Sequence, residues 1–187
     1  MSQIAYTAFI SLIALERLFE LRLSKRHYKL AMEAGGREVA PGHFAVMSAM
    51  HTLFLLACVG EVWGLHRPFD PAIGWIALGL ACLAQGIRYW VIATLKERWN
   101  VRIVVLPNAA PVTSGPYRYL RHPNYLAVIV EMIALPLVHG AWLTAMTFSV
   151  ANAAVLYVRI RAEEAALGAG YQQAFADTHR WLPRRRS

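Results

Sequence analysis

The stretch PNYLAVIVEMIALPLVHGAWLTAMTFSVANAAVLYVRI, residues 123–160, decides how the chain folds, because it is apolar along nearly its whole length. It is too long for one crossing of a bilayer, which takes about 20 helical residues. Pro136 and the pair His139 and Gly140 interrupt it, and such residues break helices. We therefore predict two short helices folded back on each other as a hairpin, over residues 123–139 and 141–160.

Three more apolar stretches lie upstream of this hairpin, over residues 3–23, 44–65 and 72–95. Each is close to the length that a helix needs to cross the hydrocarbon. The start of the chain lacks a basic leader and an obvious cleavage site, so we interpret the first stretch as a retained span. The prediction is an all-α, polytopic membrane protein, with five transmembrane helices in a single domain over residues 1–187.

The composition agrees with a membrane protein and argues against several other classes. The chain is 57% hydrophobic and yet carries a net charge of +8, a combination that soluble domains seldom show. A basic groove interleaved with aromatic residues is not evident, so we expect no nucleic acid partner. Cys58 and Cys82 lie in different apolar stretches without a CxxC pattern, so the sequence predicts neither a disulfide framework nor a metal site.

Basic residues are concentrated in alternate segments of the chain. The segments 22–37 and 96–121 and the tail from residue 159 carry most of them, whereas the opposite side has only Arg67. Lys and Arg near the ends of membrane spans are enriched on the cytoplasmic side. We therefore predict a bacterial inner-membrane protein with its N-terminus outside and its C-terminus cytoplasmic. The tail is predicted to form an amphipathic surface helix over residues 163–175 and ends in Arg184, Arg185 and Arg186.

Several ionisable residues fall inside the predicted spans, where an uncompensated charge costs at least ~2.5 kcal/mol on insertion scales. Glu16, Arg17 and Glu20 lie within about one turn of the first span. We favour an interfacial cluster of salt bridges over a catalytic role for them. His51 in the second span is interpreted as a hydrogen-bonded core histidine with no further role.

Glu131 lies two helical turns inside the fourth predicted span and would point into the bundle. Two interpretations are equally open for it. It can pair with Arg88 of the third span, or it can bind a cofactor.

The run VTSGPYRYLRHPNYL, residues 112–126, carries the strongest local signal at the entrance to the fourth span. Gly115 and Pro116 predict a turn, and Pro123 suits the first position of a helix. His122 and Asn124 therefore stand at a helix N-terminus, where unpaired N–H groups attract an anion.

Two tyrosines in the same run, Tyr117 and Tyr125, offer aromatic faces to a planar ring. A small ligand with an anionic and an aromatic part would fit such a site. The alternative is an ordinary helix start with Tyr and Arg anchors at the membrane interface.

The second signal is the run RIRAEE, residues 159–164, at the exit of the fifth span. Arg159 and Glu163 are four residues apart on one helix face, but a basic residue preceding an acidic one gives the weaker ion pair. This order leaves room for a functional role of the run 159–164. Because the two motifs flank one hairpin, we expect them to meet in one cytoplasmic pocket.

The two motifs together, residues 115–125 and 159–164, resemble the isoprenylcysteine carboxyl methyltransferase family and its bacterial relatives. The run Glu16-Arg17-Leu18 resembles the bacterial branch that is associated with alkylpyrones and alkylresorcinols. The resemblance implies transfer of a methyl group from S-adenosylmethionine to a lipophilic acceptor, by O-methylation of a carboxylate or an acidic hydroxyl. The expected partners are this small lipophilic molecule and membrane lipids.

The resemblance also assigns residues to roles. The cofactor site would comprise Val112, Tyr117, His122, Pro123, Asn124, Tyr125 and Glu163, with Glu131 as a further candidate. Arg159 would face the acceptor and orient its oxyanion. A phenol would need deprotonation, for which Glu163 or Glu164 are the nearest candidates.

Three other functions stay open at this point. A membrane reductase of the sterol type would use NADPH, and it has additional spans that this sequence lacks. A non-catalytic membrane scaffold would use the buried charges only for pairing. A phospholipid N-methyltransferase would take an amine, and Arg159 argues against a cationic acceptor.

Overall fold

The computed structural model describes residues 1–176 and residue 178, and its described part is dominated by five α-helices. The helices are α1 (Gln3–Glu33), α2 (Gly42–Gly64), α3 (Pro71–Leu95), α4 (Pro123–Leu137) and α5 (Trp142–Ala174). Two short strands, β1 (Arg37–Val39) and β2 (Ile103–Val105), pair antiparallel. The all-α class is confirmed, and the sequence patterns did not predict the strand pair.

Three helical segments are long and apolar enough to cross a membrane, among the residues that the structure describes. They are Gly42–Gly64, Pro71–Arg98 and Trp142–Ala174. The first two lie within a few residues of the predicted second and third spans. Helix α4 is shorter, and α1 carries Glu16, Arg17 and Glu20 within its apolar part.

Local chemistry fixes where these helices begin. The Asp70 carboxylate accepts hydrogen bonds from the amides of Ala72 and Ile73, at 2.9 and 3.1 Å, and so caps α3. Pro71 and Pro123 each occupy the first turn of their helix, where a missing N–H costs nothing.

Two predicted helix ends were wrong. Helix α1 continues beyond residue 23 to Glu33, and α5 continues beyond residue 160. The tail is helical to Ala174, as predicted for residues 163–175, but it extends α5 and does not begin a helix of its own at residue 163. Hydropathy marks only the apolar part of a helix, and polar residues continue both helices beyond it. The break in α5 comes at Gly168, whose φ of 73° lies in the left-handed region. The predicted basic end, residues 184–186, lies outside the described residues.

The α4–α5 hairpin is confirmed. Its turn covers residues 138–141, and the two helices run antiparallel, since Tyr125 near the start of α4 packs against Leu156 and Ile160 of α5. The predicted interruption at Pro136, His139 and Gly140 therefore marks the reversal correctly, although Pro136 itself still lies inside α4.

The helices connect two opposite ends of the molecule. At one end His139 donates a hydrogen bond to the backbone oxygen of Met1 at 3.2 Å, and Gln3 donates to that of Val62. The other end, which we call the loop end, carries the connecting segments 34–41 and 96–122, which contain the paired strands β1 and β2. The segments therefore alternate between the ends as the basic residues predicted.

The end opposite the loops is solidly packed. Tyr6, Phe54, Cys58, Val62 and Met132 are at most 2% exposed and belong to one apolar core. In a core packed this closely, substitutions that remove side-chain volume and substitutions that add it both lower stability. The loop end is built differently, because a partly open cavity replaces the continuous core there.

Glu61 fastens the hairpin to α2 at the packed end. Its carboxylate accepts hydrogen bonds from the backbone N–H groups of Leu143 at 3.1 Å and Thr144 at 2.6 Å, and it pairs with Arg67 at 2.8 Å. These N–H groups belong to the first turn of α5. Backbone N–H groups in the first turn of a helix have no hydrogen-bond acceptor within that helix.

Replacing Glu61 by alanine removes this cap, and we expect the free energy of unfolding to fall by about 1–2 kcal/mol. The measurement is thermal unfolding in detergent. Glu33→Ala is the matched control, because Glu33 is exposed and its contact with Lys29 is a surface pair at 3.8 Å. Equal losses in the two variants would contradict the capping role.

Candidate functional site

A cavity of about 750 Å³ lies in the loop end of the bundle. All five helices contribute to its wall, and residues 97–112, which we call the roof, cover it at the loop end. Its volume falls within the range of sites that hold small organic molecules.

The roof is tied to α1 by hydrogen bonds that connect residues far apart in the sequence. The Ser24 hydroxyl donates to the side-chain oxygen of Asn100 at 2.9 Å and accepts from the amide of Val101 at 3.1 Å. The ring of His27 donates from Nδ1 to the backbone oxygen of Trp99 at 2.8 Å. Because α1 extends beyond its predicted end, it supplies both of these side chains.

Arg102 joins the roof to the strands and to α2. Its guanidinium pairs with Glu38 of β1 at 2.7 Å and stacks over the rings of Phe44 and Tyr28, at 4.1 and 5.2 Å from their centroids. A hydrogen bond to the Glu38 carboxylate raises the pKa of the Tyr28 phenol. The neutral phenol therefore donates to the same carboxylate that Arg102 holds.

The predicted turn at Gly115 positions Tyr117. Gly115 has a φ of 57°, and a Cβ there would come within 2.4 Å of the Thr94 hydroxyl, so the turn needs glycine. Tyr117 then lines the cavity, where burial, and secondarily the nearby Glu163 carboxylate, raises the pKa of its phenol. The phenol stays neutral and can donate a hydrogen bond.

An aromatic wall forms where α4 begins. The ring of His122 stacks on that of Tyr125 with centroids 5.4 Å apart, and the ring of Tyr171 lies 6.3 Å from it. Phe175 continues the wall, 4.7 Å from Tyr171. His122 is held by Glu164, 3.0 Å from Nε2. A planar ring would find aromatic faces here.

Arg159, Tyr125 and Glu163 form a chain of hydrogen bonds across the hairpin. Arg159 donates from Nε to the Tyr125 hydroxyl at 2.9 Å, and this hydroxyl donates to the Glu163 carboxylate. Arg159 also donates from Nη2 to the backbone oxygen of Val101 in the roof, at 2.6 Å. Tyr125 thus mediates between Arg159 and Glu163, which form no direct ion pair within the described residues.

The cavity brings together most of the residues that the sequence singled out. Its lining includes Val112, Tyr117, His122, Asn124, Tyr125, Arg159 and Glu163. Pro123, Glu131 and Glu164 lie outside its lining, Pro123 as a buried first residue of α4 and Glu164 behind His122. The side-chain oxygen of Asn124 is buried and has no hydrogen-bond partner within the described residues.

Glu131 pairs with Arg88, which is one of the two interpretations that the sequence left open for it. Arg88 donates from Nε to Glu131 at 3.1 Å and makes a second hydrogen bond to its other oxygen. Arg17 lies 3.6 Å from the same carboxylate. We call Glu16, Arg17, Glu20, Arg88 and Glu131 the deep polar cluster.

The deep polar cluster corrects the interfacial position that was predicted for Glu16, Arg17 and Glu20. The predicted pairing forms, with Arg17 at 2.8 Å from Glu16 and 3.0 Å from Glu20. Glu20 is 4% exposed, however, and reaches Arg88 at 3.7 Å across the bundle. Inward-facing partners on α3 and α4 satisfy these charges better than the membrane surface would.

Sequence patterns missed several residues of the cavity wall. Arg17, Glu20, His51 and Arg88 line its deeper part, and Tyr171 lines its outer part. A possible signal for the deeper residues was their charge inside apolar helices. No comparable signal marked Tyr171, since it reaches the wall through the extension of α5.

A family model described as the isoprenylcysteine carboxyl methyltransferase (ICMT) family matches residues 76–169, which include all the site residues that the sequence predicted. The chain is 34% identical over 159 residues to the uncharacterized protein YpbQ of Bacillus subtilis, a match that covers 84% of this chain and 94% of that protein. It is 32% identical over 152 residues to an uncharacterized protein of Haemophilus influenzae, covering 81% of this chain and 88% of that protein.

Replacing Ser24 by alanine should loosen the roof. Loss of its two hydrogen bonds to Asn100 and Val101 should speed hydrogen exchange at the Val101 amide by about tenfold or more. Mass-spectrometric exchange on the detergent-solubilised protein measures this. Ser11→Ala, at an exposed position of the same helix, is the control. Unchanged exchange at Val101 would show that the roof is held by other contacts.

Proposed function

Because this chain belongs to the isoprenylcysteine carboxyl methyltransferase family, a family of membrane methyltransferases, we propose that it transfers a methyl group from S-adenosylmethionine to a lipophilic acceptor. The observation that carries the proposal is the shared cavity, since Tyr117, His122, Asn124, Tyr125 and Glu163 meet there from three separate parts of the chain. The reaction would take place near the cytoplasmic face of a bacterial inner membrane.

The outer part of the cavity fits the chemistry of this cofactor. The aromatic wall of His122, Tyr125 and Tyr171 suits an adenine ring. Asn124 lines the same cavity, and its side-chain amide could donate a hydrogen bond to a polar group of the cofactor. Glu163 could accept from ribose hydroxyls in addition to Tyr125, because a carboxylate has several lone pairs.

S-adenosylmethionine would supply a methyl group on a positively charged sulfonium. The chain's own task is then to position the acceptor and to exclude water, since effective alignment lowers the barrier of such a displacement. Arg159 uses two N–H groups in the hydrogen bonds to Tyr125 and Val101, out of five on a guanidinium. The remaining donors can orient an acceptor carboxylate or acidic hydroxyl.

Both candidate bases already have partners in the structure. Glu163 accepts the Tyr125 hydroxyl, and Glu164 contacts His122. These contacts favour a binding role over proton abstraction. An acceptor that is already anionic, such as a carboxylate or an acidic pyrone hydroxyl, needs no general base and therefore suits this site best.

The acceptor would enter from the bilayer. Leu18 of α1 and Leu56 of α2 line the cavity and are 53% and 64% exposed. An apolar and accessible wall of this kind is compatible with a hydrocarbon chain. A prenylcysteine or an alkyl-substituted ring could place its tail between these helices and its polar end toward Arg159.

We further propose that all five helices cross the membrane, with the loop end in the cytoplasm. The ends of the helices alternate between the two ends of the molecule, and the basic segments gather at the loop end. Helix α4 has 15 residues, about 22 Å at a rise of 1.5 Å per residue, and is short for this crossing. Helix α1 can cross because the deep polar cluster pairs its charges internally.

Glu163→Gln tests the cofactor site. Loss of the charged acceptor should weaken binding of S-adenosylmethionine by about tenfold or more, because hydrogen bonds to charged groups are the stronger ones. Calorimetric titration of the purified protein measures the Kd. Glu33→Gln, at the exposed end of α1, is the control. An unchanged Kd in the Glu163 variant would remove this residue from the cofactor site.

Arg159→Ala tests the acceptor site. We expect transfer of labelled methyl groups into organic-extractable lipid to fall at least about a hundredfold, while the Kd for S-adenosylmethionine changes by about threefold or less. Arg118→Ala, at an exposed position of the loop end, should keep full activity. Full activity of the Arg159 variant would contradict the proposed role.

Titration with NADPH separates this function from a reductase, because a methyltransferase should bind S-adenosylmethionine and not NADPH. Mass spectra of lipid extracts, from cells with and without the protein, should then reveal an acceptor that gains one methyl group. Failure to bind either cofactor would favour a non-catalytic scaffold.

A further inference from the structure

His51 of α2 has an unused hydrogen-bond acceptor that faces the cavity. Its Nδ1 lies 2.9 Å from the backbone oxygen of Met47. A carbonyl oxygen only accepts, so Nδ1 carries the proton. In the neutral ring Nε2 then holds a free lone pair. Nε2 makes no hydrogen bond within the described residues and is not among their fully buried polar atoms, and His51 lines the cavity.

His51 lies deeper in the bundle than the proposed cofactor site. It is nine residues inside α2 from Gly42, and Arg88 is seven residues before Leu95 at the loop end of α3. At a rise of 1.5 Å per residue, both lie about 10–14 Å from the loop-end limits of their helices. The cavity thus has an outer part with Tyr117 and Glu163 and a deeper part with His51 and Arg88.

The charges around His51 favour binding of a neutral ligand group. Arg17 of α1, Arg88 of α3 and Glu131 of α4 act on it electrostatically, and Glu20 of α1 also lines the deeper part. Both guanidiniums are occupied by the carboxylates of the deep polar cluster. Among the residues that the structure describes, the deeper part therefore has no free positive charge for an anionic group, and it offers a neutral acceptor nitrogen at His51.

We propose that His51 forms a second recognition site for the acceptor, which binds a neutral hydroxyl group through Nε2. This inference rests on the proposed function and narrows its acceptor class. The acceptor would carry two polar groups, the one that is methylated near Arg159 and a hydroxyl directed toward His51. The hydroxyl at His51 is bound and not methylated, so His51 is a specificity-determining residue.

A molecule whose polar end is a carboxylate alone would leave Nε2 without a partner. Sites that are built to bind a hydroxyl discriminate strongly against analogues that lack it, because their buried polar groups are then left unpaired. His51 would therefore select hydroxylated acceptors among lipophilic molecules of similar size.

A matched pair of probes tests this selectivity: a resorcinol and a phenol, each carrying the same fifteen-carbon chain at the meta position. We expect the detergent-solubilised protein to bind the resorcinol about tenfold more tightly than the phenol. Quenching of intrinsic tryptophan fluorescence measures both Kd values. Equal Kd values in the unmodified protein would overturn the proposal.

His51→Phe should abolish this preference by weakening binding of the resorcinol alone, because phenylalanine fills the space without an acceptor. His51→Gln should restore part of it through its amide oxygen. Thr52→Val is the matched control, since Thr52 also lines the cavity but its hydroxyl already donates to the backbone oxygen of Ser48 at 2.9 Å. A preference that survives in His51→Phe would overturn the proposal.

A measurement on the unmodified protein covers the case in which the His51 variants do not fold. With ¹⁵N-labelled histidine, addition of the resorcinol should shift the Nε2 resonance of a neutral histidine, because a new hydrogen bond forms there. Absence of any such shift at saturation would contradict the proposal. Calorimetry with S-adenosylmethionine on the same sample tests the methyltransferase function separately, since hydroxyl binding does not depend on its outcome.

Discussion

One buried guanidinium connects the parts of the molecule that form the cavity. Arg159 is 5% exposed and donates hydrogen bonds to the backbone oxygen of Val101 in the roof and to the hydroxyl of Tyr125 on α4. A buried cation without such partners would be strongly destabilising. Helix α5 can therefore pack in this position only when the roof and the hairpin each provide an oxygen atom. Arg159 thus joins α5 to α4 and to the roof at one side of the cavity.

The deep polar cluster sets a second constraint, on the rotation of the helices about their axes. Lipid cannot solvate Arg88 or Glu131, so both must face the interior and lie opposite each other. Arg17 adds the same requirement for α1 through its contact with Glu131. The cluster lies between the packed core around Tyr6 and Phe54 and the cavity of the loop end. Ion pairs thus replace apolar packing between the helices at the inner end of the cavity.

The sequence predicted those features that depend on local pattern. Hydropathy located α2 and α3 to within a few residues, and Pro123 with Gly115 marked the helix start and turn of the outer cavity. It could not predict contacts between distant residues, such as the bond between Ser24 and Asn100 that holds the roof. The polar continuation of α1 was missed for the same reason, because its role appears only through packing. A helix over residues 163–175 was predicted, but not that it continues α5 and brings Tyr171 to the cavity. His51 illustrates the remaining difficulty, since its hydrogen bond to Met47 was foreseeable but its position at the cavity was not.

The two depths of the cavity bear on how a small helical bundle can control a methyl transfer. An acceptor held only at Arg159 could rotate about that contact, whereas a second hydrogen bond at His51 would fix its direction along the helix axes. Alignment of the reacting atoms contributes more to such a displacement than acid–base chemistry does. The carboxylates Glu163 and Glu164 are already engaged by Tyr125 and His122. Rate and selectivity would then both come from where the acceptor is held, which a rigid set of helices can determine without a soluble cofactor domain.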